Sequence, residues 1–157
     1  PRSPWVPRLA LAVGAAGLAA AAVLGGVLAA TQQRLDSAQA RGQEIAVVLA
    51  APDARIASGR TTVGGTAVVV VSQTERKMVV TSSGLPGLPS SKVYELWLMG
   101  PGGTRPAGLL PPPSGGKTAP VLASGVLAGD TVGMTVEPAG GTASPTTTPI
   151  LVLPLPA

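Results

Sequence analysis

Three groups of residues have types and spacings that could do chemistry. Ser114-Gly115-Gly116-Lys117-Thr118 contains the Gly-Lys-Thr of a phosphate-cradling loop. Such a loop needs a small residue five places before the Gly, and Pro111 stands there. Pro111, Pro112 and Pro113 also have no N–H to offer a phosphate. Ser114 and Lys117 also spell Ser-x-x-Lys, a nucleophile and base in some hydrolases. That chemistry wants the lysine one helical turn beyond the serine, on a buried helix that depresses its pKa, and a Gly-Gly loop gives neither. The third group, Glu75, Glu95, Asp130 and Glu137, could pair for acid–base work. No spacing implies that they meet, and single surface charges are the plainer reading.

Cys and His are both absent, so the sequence offers no disulfide, no thiolate metal site and no imidazole base. No catalytic, cofactor-binding or metal-ligating residue is expected, and no cofactor. Asn is absent too, which excludes Asn-linked glycosylation. The net charge of +4 comes from 11 basic and 7 acidic residues. The basic residues beyond Ala54 are scattered singly, with only Tyr94 and Trp97 to stack on bases. No nucleic-acid partner is expected.

The element that places everything else is Leu9–Ala30, LALAVGAAGLAAAAVLGGVLAA, an uncharged run with no polar face. As a helix it covers the roughly 30 Å hydrocarbon core of a bilayer, so a single transmembrane helix over 9–30 is expected. A signal peptide cut after Ala29 or Ala30 is the competing reading, although such cores usually run shorter. Residues 1–8, with Trp5 as an interfacial anchor, form one flank. Arg2 and Arg8 on one side balance Arg34 and Arg41 on the other, so charge alone leaves the orientation tied.

Residues 31–53 read as a helical stalk, weakened at Gly42 and stopped by Pro52. Leu28, Leu35, Ala38, Ile45 and Leu49 fall on one face, a stripe that more often packs on its own domain and along which a parallel homodimer could also zip. From Ala54 to Ala157 the period changes to two. Strands are expected over 67–71, buried on both faces, then 76–81, 92–99, 107–110, 118–124, 131–136 and 149–153, with a Gly/Thr/Pro loop over 138–149. In Lys92–Met99, Val93, Glu95, Trp97 and Met99 share one face and Tyr94, Leu96 and Leu98 the other, with Trp97 expected in the core. About seven or eight short strands with no helix between them make a mainly β chain, an antiparallel β-sandwich behind one span and a stalk.

Five stretches in order resemble the anti-sigma-K factor family: Val48–Arg55, Ser83–Pro89, Val93–Pro101, Ala107–Leu110, and Val136–Gly141 with the Pro/Thr run through Pro149. The resemblance implies an extracytoplasmic β-sandwich joined by one span to a cytoplasmic domain that sequesters an extracytoplasmic-function sigma factor. It implies release by membrane and intramembrane proteases, and it places the amino end in the cytoplasm of a bacterial cell; the stalk from Thr31 to Ala51, polar and weakened at Gly42, is by its own residues a plausible site for the first cut. The sigma-binding domain would precede Pro1, so the partners expected of these residues are the lipid bilayer and the proteases. A secreted or membrane-anchored β-sandwich binding module without a sigma partner is the alternative.

Overall fold

In the computed structural model residues 29–156 are described; the expected flank 1–8 and nearly all of the expected span 9–30 lie outside them. Among the described residues, no helix is long and apolar enough to cross a membrane. The chain divides into two units, Pro1–Gln43 and Glu44–Ala157. In the first, residues 29–43 are helical, and the Ser37 hydroxyl donates to the carbonyl of Gln33, 2.7 Å away. The helix, α1, spans residues 29–50 without a break at Gly42 and stops two residues before Pro52. The apolar stripe is not its packed face: Leu35 and Leu49 are 60% and 52% exposed, while Val48 is buried and Ile45 half-buried.

The second unit holds eight strands: β1 (Arg55–Arg60), β2 (Thr66–Ser72), β3 (Lys77–Ser83), β4 (Lys92–Gly100), β5 (Gly103–Leu110), β6 (Val121–Ser124), β7 (Thr131–Pro138) and β8 (Leu151–Pro154). They form two four-stranded sheets, ordered β1-β2-β3-β6 and β5-β4-β7-β8, with every pairing antiparallel. The period of two decides what is buried. Ala67, Val69, Val71, Met78 and Val80 of the first sheet meet Tyr94, Leu96, Leu98, Val132 and Met134 of the second in one apolar core. The sheet edges are closed by proximity, with β1 beside β8 and β5 beside β6.

Three expectations change. The β2 run is not buried on both faces, since Val68 is exposed and Val70 half-buried beside the buried Ala67, Val69 and Val71. The strand expected over 118–124 begins only at Val121, because Thr118 instead bonds Ser82 through its amide and its hydroxyl. An additional strand, β1, precedes the valine run. Its RIASGR sequence carries no apolar alternation. Gly59 sits where a Cβ would come within 2.9 Å of Leu151 Cδ1, so a larger residue there would require the Leu151 side chain of β8 to shift.

Candidate functional site

The Gly-Lys-Thr segment is a surface hairpin. Ser114 N donates to Lys117 O at 2.8 Å and Lys117 N to Ser114 O at 3.1 Å. Gly115 and Gly116 take the left-handed conformations, φ 57° and 76°, of a two-residue turn. Ser114 and Lys117 are exposed, so nothing desolvates the lysine, and no helix follows to aim amides at a phosphate.

The acidic residues differ from expectation. Glu75 is exposed, but Glu95, Asp130 and Glu137 are buried rather than lying on the surface. Sequence reasoning missed this because an acid on the outward face of a strand ordinarily meets water. Here the 139–149 connection between β7 and β8 folds back over the outward face of its own sheet. Glu95 Oε2 accepts the Thr142 N–H at 2.9 Å and the Thr142 hydroxyl at 3.3 Å. Glu137 accepts the Thr146 N–H at 3.0 Å and, through its other oxygen, the Thr146 hydroxyl. A Cβ on Gly141 would press on Leu109 and on the Glu95 carboxylate, so the loop seats closely only with glycine at that point.

Trp97 is fully buried, yet on this outward face rather than in the core between the sheets, and its Nε1 donates to Thr135 Oγ1 at 2.8 Å. Burial pushes the Glu137 carboxyl up, but the hydroxyls of Thr146 and Thr135 and the N–H groups of Thr146 and Thr147 outweigh it and hold the pKa below the ordinary value. Trp97, Thr135, Glu137 and Thr146 thus make a connected polar chain under the loop. Glu95 and Glu137 are diagonal neighbours, Glu95 opposite Thr135 and Glu137 opposite Val93. Glu95 Oε2 and both Glu137 oxygens accept from loop donors, an arrangement that fastens the loop backbone to the sheet.

Two smaller polar fixtures complete the unit. Asp130 accepts Arg105 Nη2 at 2.7 Å and the Leu127 N–H at 2.9 Å, tying β5 to the β6–β7 connection. Asp53, just beyond α1, accepts the Thr74 N–H at 2.9 Å and the Ser72 hydroxyl at 2.8 Å. These bonds, the Thr74 amide first, lower its pKa to about 2. A groove of about 380 Å³ runs between Leu88–Ser90 and Pro111–Pro113, floored by Tyr94, whose hydroxyl donates to Pro86 O at 3.0 Å. Among the described residues no three of His, Cys, Asp and Glu stand together as a metal would need.

The family described as "Anti-sigma-K factor rskA, C-terminal" matches residues 11–150. The chain belongs to this family. Anti-sigma-K factors RskA from Mycolicibacterium vanbaalenii and Mycobacterium ulcerans are 33% and 34% identical over 108 residues. That alignment covers 69% of this chain and 45% and 46% of theirs. A Streptomyces griseus protein, described as an uncharacterized protein in the phr 5′ region, is 40% identical over 149 residues, covering 90% of this chain and 62% of that protein. The chain therefore spans between about half and two thirds of the length of these relatives. No solved structure matches it. All the fasteners fall inside the anti-sigma-K match: Asp53, Glu95, Asp130 and Glu137, and the Thr142 and Thr146 that the two glutamates hold.

Proposed function

We propose that this chain is the membrane anchor and extracytoplasmic portion of an anti-sigma factor that restrains an extracytoplasmic-function sigma factor. The observation that carries the reading is the extent of the family match, residues 11–150, which takes in nearly all of the uncharged run and almost the whole β unit. On this reading Leu9–Ala30 crosses the bilayer with the amino end in the cytoplasm, and the sigma factor is held by a domain encoded before Pro1. The curated relatives are long enough to carry such a domain.

The β-sandwich faces outward and controls release. Membrane proteases cut first in the exposed helix between the bilayer and Glu44, then within the membrane. That stretch presents Thr31 to Gln43 to solvent, whereas the unit beyond it is closed by paired strands.

Membrane fractionation of the full-length gene product tests the anchor. The protein is expected to sediment with membranes and resist alkaline extraction, and a variant lacking residues 9–30 is expected in the soluble fraction. A full-length product recovered in the soluble fraction would overturn the reading.

A further inference from the structure

The loop fastened by Glu95 and Glu137 carries a hydroxyl cluster that the proposed regulatory role does not use. Between Gly141 and Ile150 the chain reads Thr142-Ala143-Ser144-Pro145-Thr146-Thr147-Thr148-Pro149. Ser/Thr runs punctuated by proline are the composition of O-glycosylated segments, because they stay extended and expose their hydroxyls. The structure sorts these five hydroxyls. Thr142 Oγ1 donates to Glu95 and to Ser144 O, Thr146 Oγ1 donates to Glu137, and Thr147 Oγ1 donates to Val136 O at 3.1 Å. The hydroxyls of Ser144 and Thr148 have no partner among the described residues, and both residues are exposed.

Each of these two residues immediately precedes a proline. The Pro ring disfavours the helical conformation in the residue before it, and in the structure Ser144 lies in a bend and Thr148 outside any helix or strand, so both sit on irregular, exposed backbone that an enzyme can reach. The carboxylate fasteners on either side fix the backbone without consuming these two oxygens.

The structure assigns Ser144 and Thr148 as O-glycosylation acceptors. The assignment rests on the proposed outward placement of the β unit. Outside the membrane there is no supply of nucleotide-activated sugar, so the donor class is a hexose carried on a polyprenyl phosphate. The Ser or Thr oxygen attacks the anomeric carbon. The bond from that carbon to the phosphate oxygen breaks, polyprenyl phosphate leaves, and the hydroxyl proton passes to a base of the transferase.

The test is mass spectrometry of the full-length protein purified from membranes of its own host, mapping the peptide that follows Lys117. Hexose increments localised to Ser144 and Thr148 are expected. The S144A/T148A double variant should lose every increment while T147A keeps them. The melting temperature of the double variant should match the parent, since neither hydroxyl bonds the fold. Labelling of a Ser90→Cys variant with a membrane-impermeant maleimide on intact cells separates two failures. An unmodified peptide from protein that labels outside, or hexoses that persist on the double variant, overturns the acceptor assignment alone. A phosphate in place of hexose on these two pre-proline residues, with labelling only after lysis, overturns the outward placement as well.

Discussion

The two sheets dress their outward faces in opposite ways. The β5-β4-β7-β8 sheet is covered by its own β7–β8 connection, held by two buried carboxylates over a buried tryptophan. The β1-β2-β3-β6 sheet leaves apolar side chains on its outward face, with Ile56 72% exposed and Val68 also exposed. Val79 on this face and Val48 of α1 are buried, and partly exposed polar contacts lie beside them. Glu44 pairs with Lys77 at 3.0 Å and Asp53 bonds the β2–β3 turn. On the first face the carboxylates that hold the loop are buried, and on the second the Glu44–Lys77 pair is partly exposed. Burying an unpaired charge costs several kcal/mol, whereas releasing an exposed pair costs almost nothing.

Substitutions on the sealed face should do the most damage. Trp97→Ala removes the largest fully buried side chain among the described residues and the indole N–H that the Thr135 hydroxyl accepts, so a loss of about 4 kcal/mol is expected in urea denaturation. Glu137→Ala strips the Thr146 amide and hydroxyl of their acceptor, and a loss of about 3 kcal/mol is expected in the same assay. Glu137→Gln should recover part of it by keeping an acceptor oxygen. A Glu137→Ala variant as stable as the parent would erase the distinction between the faces.

The loosely joined face should respond to pH and only weakly to mutation. The folded-state pKa of Asp53 lies below its ordinary value of 3.8, so its stabilisation is complete above that value. It is lost as pH falls through about 2. Denaturation midpoints measured between those limits should fall with pH, and Asp53→Asn should flatten part of the slope. Glu137, also depressed, adds a change of the same sign. The smallest effect belongs to Glu44 and Lys77, where a double-mutant cycle should give a coupling of about 0.5 kcal/mol that fades with salt.

Much of the fold was legible because β periodicity writes burial directly into the sequence. Tyr94, Leu96 and Leu98 share one face as their spacing requires, although spacing alone did not say that this face, and not the one with Trp97, meets the other sheet; Pro52 and the Gly115-Gly116 turn do what their backbones allow. β1 was illegible because Gly59 and its small neighbours serve a close approach to β8 rather than an apolar face. The fasteners were illegible for another reason. Glu95 and Glu137 look like solvent-facing acids until a segment more than five residues away in sequence folds over them, and alternation carries no information about what will cover a face. The stripe on α1 misled in the reverse direction, since apolar spacing along a helix does not say which neighbour, if any, buries it.

The proposed outward placement of the sandwich is tested most directly by thiol labelling at an introduced cysteine, read against the parent protein, because these 157 residues contain no cysteine of their own. With Ser90→Cys placed at an exposed position in the full-length protein, a membrane-impermeant maleimide added to intact cells should label it as fully as it does after lysis. Labelling that appears only once the cells are broken would contradict the placement.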